Sequence, residues 1–214
     1  MKDIYRTIYD YGEDEITINK SRFIGYSMPI GSEEQALEFI KTISSRNKDA
    51  NHNVYAYVFG EESNIQRFSD NGEPSGTAGI PALEVIKKEN LRNVVVVITR
   101  YFGGIKLGGG GLIRAYTKGA KIALDAGKIV EMNIHTKLGL ILPYTLLGKL
   151  ENYLNVNGYK IEETSYKENV EIFIYIKNCE LDEFKKTIMD ITNGSAQIDE
   201  LEERHLPLFN DKRL

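Results

Sequence analysis

A chain of 214 residues with 42% hydrophobic and 27% charged side chains has room for one large or two small domains and the make-up of an ordinary globular protein. No apolar run is long enough to span a bilayer, and the first residues, MKDIYRTIYDYGEDE, lack the apolar core of a signal peptide, so the cytoplasm is the expected location. The one cysteine, Cys179, excludes an internal disulfide and a cysteine-built metal cluster, and is expected to be packed or half-exposed.

From Ile4 to Ile30 the pattern favours strands: Ile4, Tyr5, Ile8 and Tyr9, then an acidic turn from Asp10 to Glu15, then Ile16 and Ile18, then alternating Ile24, Tyr26, Met28 and Ile30. Ser32 stands three residues before Gln35, a capping-box spacing, and Ala36, Phe39, Ile40 and Ile43 form a helix face as far as about Arg46. Val54 to Phe59 reads as a strand that pairs with Ile65 to Ser69. His52 precedes that strand. A lone histidine is ordinarily a hydrogen-bonded structural residue, and with no second His or Cys nearby a zinc site is not expected. The glycine- and proline-rich stretch SDNGEPSGTAGIP then opens into a helix near Pro81 to Glu89, where proline in the first turn costs little. Asp70 and Glu73 lie on its approach. Asp70-Asn71-Gly72 reads as a turn, or else as part of a loop, 70–79, lying beside the glycine loop 103–111.

The five apolar residues Val94 to Ile98 read as a strand buried on both faces, ended by Thr99, Arg100 and Tyr101. A loop with Gly103, Gly104 and the run Gly108, Gly109, Gly110, Gly111 opens into a helix. Ile113, Tyr116, Ala120 and Ala123 share one face of it, and Arg114, Lys118 and Lys121 another. Glycines let a backbone approach a ligand, and first-turn amides have no intrahelical partners, so an anion site is expected there. Six cations, Arg100, Lys106, Arg114, Lys118, Lys121 and Lys128, face one acid, Asp125, across this segment. The plainer alternative is a tight crossover followed by a solvated basic face. No Gly-Lys-Ser/Thr follows Gly104, and Ile113 or Arg114 occupies the third glycine place of a dinucleotide fingerprint, so neither familiar phosphate motif is present.

Residues 1–134 are balanced in charge, whereas 135–214 hold the excess acid, a composition shift that hints at two domains. In the second part the order is strand (Lys137 to Leu142), helix from Pro143 to Asn157-Gly158, strands Tyr159 to Tyr166 and Val170 to Ile176, helix Leu181 to Ile191, and strand Ala196 to Glu203. That succession is the split βαβ, or ferredoxin-like, arrangement.

Three blocks carry a resemblance: NHNVYAY at 51–57, FSDNGEPSGTAGIP at 68–81, and TRYFGGIKLG at 99–108 followed by GGLIRAY at 110–116. They resemble the signature blocks of the IMPACT family in its bacterial, YigZ-type form. The resemblance covers about Ser21 to Val130, and the small C-terminal domain is similar to one that bacterial members append. It implies a first domain like a small-subunit ribosomal protein and domain IV of elongation factor G, and a second like domain V of that factor. Eukaryotic relatives act in the pathway by which amino-acid starvation restrains translation initiation; for bacterial members the resemblance implies a link to ribosomes or nucleic acid, and it supplies no catalytic residues.

The reading is therefore an α+β protein of two domains, 1–134 and 135–214. The expected anion- or RNA-binding residues are Arg100, Lys106, Gly108, Gly109, Gly110, Gly111, Arg114, Lys118 and Lys121, with His52, Asp70, Glu73 and Tyr101 as further candidates for the cleft. Tyr101 or Phe102 is placed to stack on an unpaired base, with Phe102 the more natural core residue. The preferred function is a non-catalytic, translation-associated regulator that binds RNA or a ribosomal surface, with no metal or cofactor. The alternative is an enzyme holding a nucleotide or phosphorylated metabolite, with Arg100 and Lys106 as clamps and Asp70 or Glu73 as base or metal ligand. An acidic protein of the translation apparatus is a third partner that the same charge would meet.

Overall fold

The computed structural model describes residues 4–210 and 212–213. It divides into two compact units, Met1–Met132 with Pro207–Lys212, and Asn133–Leu206 with Arg213–Leu214. The first unit thus takes in a segment, 207–212, that charge and pattern place in the second.

The first unit holds β1 (Ile4–Ile8), β2 (Gly12–Ile18), β3 (Ser21–Pro29), α1 (Glu33–Arg46), β4 (His52–Phe59), β5 (Ile65–Ser69), α2 (Gly79–Lys88), β6 (Val94–Tyr101) and α3 (Gly108–Ala126). A five-stranded antiparallel sheet runs in the order β2-β3-β6-β4-β5. Central β6 has no polar alternation because both of its faces are covered. Val94, Val96 and Ile98 pack with α2 and α3 against Phe23, Val54, Leu112 and Tyr116, whereas Val95 and Val97 pack with α1 against Tyr26, Phe39 and Ile43. Ser32 Oγ accepts from the Gln35 amide (3.3 Å) at the start of α1, and Gln35 Oε1 accepts from the Gly31 amide (2.7 Å), a capping box displaced by one residue.

Two local expectations are corrected. The acidic stretch is not a turn through Glu15: β2 begins at Gly12, and Glu13, Asp14 and Glu15 stand exposed along an outer strand, where charge discourages pairing with another chain. Nor does His52 precede β4; it is the first residue of that strand, paired in register with Arg100, because β6 itself continues to Tyr101.

The second unit carries most of β7 (Ile129–Leu142) and β10 (Gln197–Phe209), together with α4 (Tyr144–Val156), β8 (Ile161–Tyr166), β9 (Val170–Lys177) and α5 (Leu181–Ile191). Its strands lie in the order β10-β7-β9-β8, that is fourth, first, third, second, the ferredoxin-like arrangement. Along β9, Val170, Ile172, Ile174 and Ile176 are buried against Leu150, Leu154, Phe184 and Ile188, while the intervening side chains are half-buried. β7 and β10 both run longer than the sequence pattern suggests. Cys179, in a 3₁₀ turn over Asn178–Glu180, is exposed rather than packed.

Candidate functional site

The glycine run is not a loop ahead of α3; it is the first turn of α3. Each glycine costs a helix about 1 kcal/mol relative to alanine, so packing must hold this turn in place. Three glycines are required by geometry, among them Gly104 with φ +86°. A Cβ on Gly103 would lie 1.9 Å from the Lys20 carbonyl oxygen, and Gly108 has φ +69°. The residue ahead of the helix, Leu107, offers no side-chain hydrogen bond. Gly108, Gly109 and Gly110 are exposed, so amides at the positive end of the helix dipole face outward with no side-chain partner among the described residues.

Asp70 behaves otherwise. Its carboxylate accepts from the amides of Gly76 (2.8 Å), Ala78 (3.1 Å) and Gly79 (2.8 Å), closing the start of α2. It is therefore spent on its own loop and is corrected as a candidate base or metal ligand. Among the described residues no group of three His, Cys, Asp or Glu is placed to hold a metal. Asn71 (φ +46°) and Gly72 (φ +86°) form the turn, with the Glu73 amide donating to the Asp70 carbonyl at 3.0 Å.

That turn delivers Glu73 into the interior. Arg100 Nη1 donates to Glu73 Oε1 at 2.6 Å and the Tyr116 hydroxyl donates to the same oxygen at 2.7 Å. His52 Nε2 stands 3.8 Å from it, and His52 Nδ1 is 2.8 Å from the Asn71 carbonyl oxygen. Arg100 is 6% exposed and Glu73 8%, so this is a buried ion pair, whose partners depend on each other. Burial, and then the hydrogen bond to Glu73, push the Tyr116 hydroxyl well above its ordinary pKa. Arg100, expected as a clamp, is buried: its guanidinium lies over Phe23 (5.4 Å) and Phe102 (5.5 Å), and its Nε has no hydrogen-bond partner among the described residues.

Above this cluster opens a cleft of about 470 Å3 between the two glycine-rich loops, lined by Asn51, His52, Glu73, Arg100, Phe102, Lys106, Gly108 and Gly109 among others. The loops 70–79 and 103–111 therefore do lie side by side, and Thr77 approaches Gly109. The remaining expected residues divide. Gly110 is exposed and Arg114 Nη1 lies beside it; Gly111 is buried behind Leu107; Lys118 is exposed on the outer side of α3. Lys121 is paired with Asp125 (2.6 Å) and Glu89 (3.2 Å), so its charge is neutralised away from the cleft.

The two aromatic residues exchange roles. Tyr101 points to the α1 side, where its hydroxyl donates to Asn47 Oδ1 (3.1 Å), whereas Phe102 is 46% exposed and lines the cleft. Strand parity explains this. Arg100 faces α2 and α3, so its neighbour Tyr101 must face the other way. Ile113 is likewise exposed, and Leu112 takes the buried position. Sequence reasoning missed Tyr116 as a hydrogen-bonding residue and Asn51, whose Oδ1 accepts from the Phe102 amide at 2.7 Å. A large hydroxyl-bearing ring on a helix face otherwise made of alanine, glycine and leucine was the available signal for Tyr116.

A family model described as Impact N-terminal domain matches residues 19–124, and one described as a domain of unknown function (DUF1949) matches residues 140–195. The chain is 45% identical over 206 residues to the IMPACT family member YvyE of Bacillus subtilis (strain 168), covering 96% of this chain and 95% of that one. It is 33% identical over 188 residues to the IMPACT family member YigZ of Escherichia coli (strain K12), covering 87% and 92%. A crystal structure described as that of a hypothetical protein is 30% identical, with a TM-score of 0.59 over 94% of this chain and 99% of the other. No helix among the described residues is long and apolar enough to cross a membrane.

Proposed function

This chain belongs to the IMPACT family, and from that premise we propose that it is a non-catalytic, translation-associated regulator that holds RNA by its phosphates. One observation carries the reading. The uncapped amides of Gly108, Gly109 and Gly110 stand with Lys106 and Arg114, and Lys118 follows one turn further along α3; none of the three cations has an acid within ion-pair distance among the described residues. Backbone amides position a phosphate, and the cations add attraction that does not depend on sequence. The translation setting is supported by the family resemblance, an anionic partner by the charge, and a phosphate polymer over an acidic protein by the open backbone amides beside the cations.

The test is fluorescence anisotropy of a labelled RNA across a salt series. With about three phosphates neutralised on a single strand, affinity falls roughly tenfold to twentyfold between 50 and 200 mM salt. The double variant Arg114→Glu, Lys118→Glu changes two exposed residues, so it folds, and it loses both the affinity and the slope. An affinity that shows no salt slope and survives the double variant overturns the proposal, as does capture of an acidic protein with no RNA binding.

Glu73 and Arg100, which line the cleft, with Tyr116 bonded to Glu73 behind them, favour a second reading, an enzyme or carrier for a nucleotide or phosphorylated metabolite. A rise in melting temperature with a mononucleotide, abolished by Lys106→Ala and unaccompanied by RNA affinity, selects it.

A further inference from the structure

A phosphate alone needs only the surface of the glycine turn, yet the structure has a cavity behind it. We propose that this cavity receives one unpaired nucleotide of a single strand, its phosphate on the glycine turn and its base against the ring of Phe102. The inference rests on the RNA reading above and narrows it to single-stranded RNA.

Four observations carry it. The cleft, at about 470 Å3, falls in the range that encloses a small organic molecule. Its lining joins three kinds of group: the cation Lys106 with the Gly108 and Gly109 turn, the apolar Phe102 and Leu112, and the polar Asn51 and Glu73. Phe102 is half-exposed and yet fixed. Its amide donates to Asn51 Oδ1 at 2.7 Å and the Arg100 guanidinium sits over the ring at 5.5 Å, so the ring is a held shelf rather than a free side chain. Arg100, more than nine-tenths buried where it lines the cleft, is held from the protein side by Glu73 and Ser21, so the inner wall of the cleft carries a fixed guanidinium.

Aromatic shelves of this kind hold bases because every base has a π face, and they are indifferent to sequence. A paired base in an A-form helix is stacked inside and cannot reach such a shelf, so a duplex can meet only the phosphate contacts. The cleft therefore predicts a preference for single strands that the charge alone does not.

The chain contains no tryptophan, so Phe102→Trp places a single reporter on the shelf. This variant is titrated with a uridine 20-mer, with a 20-base-pair RNA duplex and with UMP, and anisotropy of the labelled 20-mer is followed for the wild type and for Phe102→Ala. The expected results are quenching by the single strand and little by the duplex, and about a tenfold loss of affinity in Phe102→Ala with the salt slope retained, because stacking carries no charge. Phe102 is about half-exposed, so both variants fold, and Phe102→Ala loses only the contact of its ring with Arg100. Salt-dependent RNA binding with no quenching, no loss in Phe102→Ala and equal affinity for the duplex overturns this inference and leaves the RNA reading standing. Absence of RNA binding by the wild type overturns both, and quenching by UMP with a silent 20-mer assigns the cleft to a metabolite instead.

Discussion

Two helices of the first unit begin in glycine-rich loops, and the protein completes one start and leaves the other open. At α2 the Asp70 carboxylate reaches across the loop and takes three amides, those of Gly76, Ala78 and Gly79. At α3 the corresponding amides, Gly108 to Gly110, are exposed and no side chain of Leu107 serves them. Both helices face the same problem, first-turn donors without intrahelical acceptors. The first is answered by an anion that belongs to the chain. The second has Lys106 and Arg114 beside amides that no side chain among the described residues caps, an arrangement that suits an anion from outside the chain. The α2 start is thus an intramolecular picture of the proposed complex at α3.

The comparison breaks most visibly if its floor is removed. Glu73→Ala leaves Arg100 buried without a counter-charge, and the expected loss is about 3–5 kcal/mol in urea unfolding. A loss near that of an ordinary surface substitution would mean that the pair is dispensable and the cleft floor is not built on it. Next in size is Asp70→Ala, which strips a charged acceptor from three amides and is expected to cost about 2 kcal/mol by the same measurement. A change of only a few tenths would erase the contrast between the two helix starts. The smallest stability effect belongs to the variant that makes α3 resemble α2. Gly109→Asp has room, since the nearest atom to a built Cβ is Thr77 Cγ2 at 4.0 Å, and its φ is not in the left-handed region. A carboxylate in the first turn is expected to stabilise by about 0.5 kcal/mol. In anisotropy the same variant loses most of its RNA affinity. Retained binding would show that the open amides are not the receptor.

Where the sequence was legible, the pattern had one physical cause. Val94 to Ile98 could only be a strand covered twice, and Ser32 with Gln35 marked a helix start that the structure reproduces to within one residue. The order of elements after Val130 was enough for the ferredoxin-like arrangement, because strand, helix, strand, strand, helix, strand over so short a span has few packed solutions. The site was harder to read because its residues are set by tertiary contact. Four consecutive glycines oppose a helix by propensity, and packing of α3 on the sheet overrides them. Ending β6 at Ile98 concealed the parity that sends Tyr101 to one face and leaves Phe102 for the cleft. Arg100 and Glu73 were both visible as charged residues near glycine loops, but nothing local tells a buried pair from two exposed groups; that follows from the turn at Asn71 and Gly72.

Tyr116 has a consequence for how the open turn is aimed. A helix that starts in glycines cannot register its own beginning, since the backbone there has many conformations of similar energy. The Tyr116 hydroxyl, about two turns further on, is anchored to Glu73. That bond acts as an index pin: it sets the azimuth of α3 about its axis, and so the compass bearing of the amides, from a point that no incoming ligand touches.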